Sequence, residues 1–163
     1  MEKNPSLCFF DVQQAIQYRK DLHIVAEPIG TLAHSPMQES TLGPPFLLTP
    51  EQAEFISGRK DHLQPHSAVF RALTEAGYYV VPGALYGCDF MIYVGDPLVT
   101  HALALVFMER ELSPERLVEI TRAAALCKKT CLLAYFRASQ LVLKQVTRIH
   151  TDRQAKPLPR VLE

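Results

Sequence analysis

Apolar residues recur along this chain with two periods, and the switch from one to the other marks out its elements. Over 66–77, HSAVFRALTEAG, residues Val69, Phe70, Leu73 and Ala76 fall on one helical face, and Gly77 supplies the C-terminal stop. A short strand, YYVVP, follows. Residues 85–94, LYGCDFMIYV, predict a longer strand in which 86, 88, 90 and 92 share one face and 87, 89, 91 and 93 the other. That alternation puts Tyr86 in the core beside Phe90 and Ile92, and Tyr93 with Asp89 and Met91 at the strand's end. HALALVFM, 101–108, is apolar on both faces, as in a strand buried in the middle of a sheet. SPERLVEITRAAAL, 113–126, reads as a helix with Ser113 as cap and Pro114 in its first turn. TCLLAYF, 130–136, and QLVLKQVTRI, 140–149, are two more strands. The order α–β–β–β–α–β–β specifies an α/β fold with a mixed central sheet flanked by helices.

Upstream the pattern is weaker. Residues 7–33, with FFDVQQAIQYRKDLHIV, form a short αβ segment, and 34–48, with three Pro and a Gly, read as a loop. Thr49, Pro50 and Gln52 spell a capping box that opens a helix to about Ser57. GRKDHLQP, 58–65, is the boundary signal. It divides the chain into a small N-terminal αβ module (1–62), a second domain (63–150) and a polar, Pro-containing tail (151–163) expected to be mobile or partner-bound. His62 and His66 have the spacing of a metal-binding helix, but Pro65 stands between them, so they read as linker histidines.

Composition limits the partners. A chain of 163 residues, 48% apolar, holds one medium domain or a small domain joined to a larger one. No apolar run approaches the ~20 residues that cross a bilayer, so no membrane partner is expected. MEKNPSLCFFDVQQ lacks the basic start and apolar stretch of a signal peptide, and a soluble intracellular protein is expected. Cys8, Cys88, Cys127 and Cys131 show no paired metal-ligand spacing and read as free thiols. With 17 basic and 17 acidic residues the net charge is zero. That argues against a chain gripping nucleic acid alone, because phosphate contacts supply most of such affinity, but leaves room for a local basic patch or for partner chains.

The candidate chemistry lies around the turn VGDP. Tyr93 and His101 stand eight residues apart across Gly95-Asp96-Pro97, where both can face one cleft. Spacing alone does not separate this from a strand-end tyrosine and a rim histidine with structural roles. Lys128 and Lys129 sit between the second helix and its following strand. Lysines there complement the helix dipole. Tyr, His and Lys are also the set that cleaves RNA without a metal: the 2′-hydroxyl must lose a proton, the leaving 5′-oxygen must gain one, and the charged phosphorane must be stabilised.

At these residues the chain resembles a family. VFRALTEAGYYVVPGALYGCDFMIYVGDPLVTHALALVF, followed by RAAALCKKTCLLAYF, is similar to the catalytic domain of the tRNA-splicing endonucleases over about residues 68–136. The matching positions are Gly77-Tyr78, Gly83 to Phe90 (Gly-x-x-Tyr-Gly-x-Asp-Phe), Ile92-Tyr93, Gly95 to Pro97, His101-Ala102 and Lys129, with Arg122 at the family's arginine seven positions before the lysine. GTLAHSPMQESTLGPPFLLTPEQAEFI further resembles the N-terminal module of the eukaryotic subunit that cuts the 3′ splice site.

The resemblance implies a tRNA-intron endonuclease fold, related to the restriction-endonuclease type, and a role for each residue. Tyr93 would be the general base toward the 2′-hydroxyl. A free tyrosine has a pKa near 10, so it must be perturbed or must mainly orient that hydroxyl. His101 would be the general acid, suited by an unperturbed pKa near ~6.5. Lys129 would stabilise the phosphorane. No cofactor or metal is implied. The implied partners are precursor tRNA, a second catalytic subunit and two structural subunits, in a nuclear or cytosolic setting, with products ending in a 2′,3′-cyclic phosphate and a 5′-hydroxyl.

Leu85 stands where relatives often carry Lys or Arg, the interval from His101 to Lys129 is short, and so is the link between the modules. Two alternatives stay open. A structural subunit of the same assembly would keep the fold and lose the three residues. A metal-dependent restriction-type nuclease needs Glu-x-Lys after its Asp, and the strand after Asp89 and Asp96 gives MERE instead.

Overall fold

A computed structural model of the protein describes residues 6–30, 43–109, 111–138 and 140–147. Its contacts divide the chain into two compact units, Met1–Thr74 and Glu75–Glu163. Among the described residues no helix is long and apolar enough to cross a membrane.

The first unit holds β1 (Cys8–Phe9), α1 (Val12–Leu22), β2 (Glu27–Gly30) and β3 (Gly43–Leu47). Its sheet is antiparallel, in the order β1-β3-β2. The Asp11 side chain caps α1 by accepting the N–H groups of Gln13 and Gln14. Residues 43–47 were expected to be loop and are the central strand instead. The reason lies in where its prolines fall. Phe46 and Leu47 pair with both neighbours, whereas Pro44 and Pro45 occupy the end where only β2 remains and its register shifts. A missing N–H costs little there. Phe46 then stacks on Phe9 at 5.4 Å between ring centroids.

The capping box at Thr49 and Gln52 is present and starts α2 (Pro50–Ile56). Gln52 is only 1% exposed because its amide also donates to the Val25 carbonyl, which leaves it satisfied inside the unit. Helix α3 (Pro65–Glu75) packs Phe70 edge-on against Phe55 and lays Arg71 over the same ring. His66 is not a linker residue: Pro65 begins α3, and His66 lies in its first turn.

The second unit is a five-stranded sheet in the order β4-β5-β6-β7-β8: β4 (Tyr79–Pro82), β5 (Phe90–Tyr93), β6 (Ala104–Phe107), β7 (Thr130–Arg137) and β8 (Gln140–Val146). Helix α4 (Pro114–Leu126), capped by Ser113, carries the chain from β6 to β7, the parallel pair; the other neighbours are antiparallel. This is the mixed sheet the sequence predicts. All four β6 residues are buried, as a central strand requires. Ile120 and Ala124 of α4 cover Leu105, Phe107, Cys131 and Leu133, with Cys88 in the same cluster.

The strand expected over 85–94 is half that length. Ala84–Tyr86 form a 3₁₀ turn, and β5 begins only at Phe90. Two glycines decide this. Gly87 has φ 68, which ends any strand, and a Cβ on Gly83 would fall 2.3 Å from the Cys88 sulfur. Tyr86 is therefore 47% exposed and not a core residue, while Phe90 and Ile92 are buried as expected. His101 likewise precedes β6 rather than opening it. The tail 151–163, residues 34–42 of the expected loop and positions 148–149 of the expected last strand lie outside the described residues.

Candidate active site

Three strand ends lie side by side at one end of the second unit's sheet. Ile92 pairs with Ala104, and Ala104 with Thr130. One residue further out come Tyr93, Leu103 and Lys129. The Leu103 N–H donates to Ile92 O at 2.8 Å, and the Thr130 N–H to Leu103 O at 3.3 Å. Strands spaced about 4.8 Å apart put the Tyr93 and Lys129 backbones about 10 Å from each other, across Leu103. Register fixes the face as well. Met91 and Tyr93 share the side of Leu105 that α4 covers, and the cleft lies where that cover ends.

The cleft has a volume of about 310 Å³. Tyr93, His101 and Lys129 all line it, with Met91 and Leu105 at its apolar base and Tyr86, Thr100 and Cys127 around them. Tyr93 and Lys129 are half-buried and His101 is exposed. Sequence spacing alone left it open whether the three residues meet; the structure brings them to one cavity.

Each comes from a pinned piece of backbone. Ahead of His101, the Asp96 carboxylate accepts the Leu98 N–H at 2.8 Å, and the Asp96 carbonyl accepts the N–H groups of Val99 and Thr100. The Thr100 hydroxyl donates back to the carbonyls of Gly95 and Asp96. Lys129 follows a helix end of the Schellman type. The Lys128 N–H donates to Ala125 O at 3.1 Å and the Lys129 N–H to Ala124 O at 2.9 Å, with Lys128 left-handed at φ 53. The reversal leaves Lys128 exposed and delivers Lys129 to the cleft.

Glycine usually holds that left-handed position, and a side chain there is strained. Lys128→Gly is therefore expected to raise unfolding free energy by up to about 1 kcal/mol, read as a higher denaturant midpoint. A lower midpoint would mean the lysine side chain itself holds the turn.

Burial pushes the Tyr93 phenol above the usual tyrosine value, and the nearby Tyr86 and Cys88 groups push it the same way. Burial also drives the Cys88 and Cys131 thiols up to about 11. Among the described residues no three His, Cys, Asp or Glu side chains are placed to hold a metal ion. The Asp89 carboxylate serves the chain instead, accepting the Met108 N–H at 2.7 Å.

Residues 63–142 match the family described as tRNA intron endonuclease, catalytic C-terminal domain. The chain carries a tRNA intron endonuclease catalytic domain. Ahead of this endonuclease domain, residues 3–60 match the family described as TSEN34-like, N-terminal domain. The chain is also similar to a tRNA-splicing endonuclease of Methanopyrus kandleri, 33% identical over 87 residues, which is 52% of this chain and 49% of that protein. It thus spans about half the length of that curated relative. The resemblance read from the sequence is borne out at the level of both domains.

Within the endonuclease domain, sequence reading missed Tyr86, Thr100 and Cys127 as cleft residues. For Tyr86 a signal existed. GALYG places glycines on both sides of a three-residue segment, which spells a turn rather than a strand.

Proposed function

We propose that this protein is a catalytic subunit of a tRNA-splicing endonuclease. It cuts precursor tRNA at an intron boundary, the 3′ splice site, by metal-independent acid–base chemistry. The observation that carries this reading is that Tyr93, His101 and Lys129, from three separate segments, line one cleft at one sheet end of the endonuclease domain. The TSEN34-like N-terminal domain supports the choice of the 3′ site.

In this reading the neutral Tyr93 phenol hydrogen-bonds the 2′-hydroxyl and orients it, and the 2′-oxygen attacks the adjacent phosphorus as its proton passes to solvent water. The P–O5′ bond breaks as His101 gives a proton to the leaving oxygen. Lys129 faces the charge that accumulates on the phosphorane oxygens. The products carry a 2′,3′-cyclic phosphate and a 5′-hydroxyl. Zero net charge fits a composite site in which a second catalytic subunit and two structural subunits supply further positive charge. Among the described residues strand β8 lies at the sheet's edge, where such a neighbour could add to it.

The test is end-group analysis of precursor tRNA cleaved by the chain co-expressed with candidate partners, in excess chelator with the tRNA fold held constant. Cyclic phosphate and 5′-hydroxyl ends are expected. Strict Mg²⁺ dependence of the chemical step would favour the restriction-type reading instead.

The two lysines provide a second test. Lys129→Ala is expected to slow single-turnover cleavage at saturating substrate by roughly 10²–10³, the usual loss when one preorganised donor to a developing charge is removed. Lys128→Ala should at most soften RNA binding, less so as salt is added. Equal losses in the chemical step would reduce both lysines to diffuse positive charge.

A further inference from the structure

Tyr86 is an aromatic residue left half outside the core. The residue is 47% exposed, it belongs to a 3₁₀ turn outside the sheet, and it lines the same cleft as Tyr93, His101 and Lys129. The turn that presents it is held from several sides. The Tyr86 N–H donates to Gly83 O at 2.8 Å, the Gly87 N–H to Ala84 O at 3.1 Å, and the Gly83 N–H to Asp89 O at 3.0 Å. Asp89 is anchored in turn through its carboxylate on the Met108 N–H at 2.7 Å. Gly87, left-handed at φ 68, and Gly83, closed onto the Cys88 sulfur, are what the turn needs in order to form. The ring is thus exposed on fixed backbone, so little conformational entropy is lost when a flat ligand covers it.

Its neighbour decides what that ligand is. Tyr86 is close enough to Tyr93 for its phenol to disfavour ionisation of the Tyr93 phenol. Tyr93 stands on the 2′-hydroxyl side of the proposed reaction, so a nucleotide whose ribose reaches Tyr93 brings its own base toward Tyr86. Unstacked RNA bases are held in this way, on exposed aromatic rings.

We propose that Tyr86 is a nucleobase platform whose ring stacks on the base of the nucleotide 5′ to the scissile phosphate and so orients its 2′-hydroxyl toward Tyr93. This rests on reading the cleft as an RNA-cleaving site. Stacking is tolerant of base identity, so the platform positions the nucleotide without selecting a sequence. The ring carries the effect and the phenol oxygen is dispensable.

The experiment uses the full chain in its co-expressed assembly and precursor tRNA whose nucleotide 5′ to the cut is either natural or abasic. Single-turnover rates and apparent KM are measured for the wild type, Tyr86→Ala and Tyr86→Phe. On natural substrate, Tyr86→Ala is expected to lose roughly tenfold to hundredfold in kcat/KM, shared between the two parameters, and Tyr86→Phe to restore most of that. The abasic substrate should cost the wild type the same factor and Tyr86→Ala nothing further. Full multiplication of the two losses, a Phe variant as poor as Ala, or an Ala variant without effect overturns the platform while leaving the RNA-cleaving reading intact. If Tyr86→Ala does not fold, an abasic penalty below about threefold in the wild type overturns it alone. A wild-type assembly that does not cleave the natural substrate overturns both readings.

Discussion

His101→Ala is expected to abolish cleavage at one splice site while fold and assembly persist. His101 is exposed, follows the turn pinned by Asp96 and Thr100, and precedes the first residue of β6, so its ring adds nothing to the buried rows of the sheet. In the proposed reaction the change therefore removes the proton donor, and it costs little packing. General acid catalysis contributes typically 10²–10⁴, and a poor leaving group such as an unprotonated 5′-oxygen places the loss toward the upper end. Single-turnover cleavage at each splice site, with melting temperature and subunit co-purification as controls, reads both halves of the claim. A variant that fails to fold or to assemble would show that His101 is structural.

Tyr93→Phe is expected to cost roughly 10²–10⁴ in rate with little change in stability, because one hydroxyl is lost from a half-buried strand end. Burial raises the phenol's pKa, as do Tyr86 and Cys88, so its charged form is disfavoured. The sign has a measurable consequence. At pH 10, where an ordinary tyrosine is half ionised, Tyr93 should remain mostly protonated. The ultraviolet phenolate difference between wild type and Tyr93→Phe should therefore titrate above pH 10. A midpoint at or below that value would mean that a nearby cation outweighs burial, and more phenolate would then be available near neutrality than this geometry supports. Tyr86→Phe should slow the rate far less than Tyr93→Phe. The opposite ranking would shift the hydroxyl-dependent role to Tyr86.

Much of this protein is legible in one dimension. The helix that became α4, the doubly apolar strand β6, the capping box of Thr49 and Gln52 and the element order of the second unit all follow from local rules. Periodicity, caps and burial on one or both faces act within a few residues of each other. The motif from Gly77 to Lys129 was legible too, because its residues hold fixed chain spacings. What the sequence could not determine was which of those residues meet. Tyr93 and Lys129 are brought together by the parallel pairing of β6 with β7 and the antiparallel pairing of β5 with β6, contacts between segments far apart in the chain. Tyr86 shows the limit most plainly. Strand alternation placed it in the core, yet the left-handed backbone at Gly87 and the close approach of Gly83 to Cys88 swing it into the cleft. Strand β3 is the same lesson in reverse. Its prolines argue against a central strand, and they are tolerated because the tertiary register leaves them where a backbone donor is not needed. Local chemistry determined the elements and their candidate residues, and long-range pairing decided which side chains share a cavity, since only backbone hydrogen bonds between distant strands set that register.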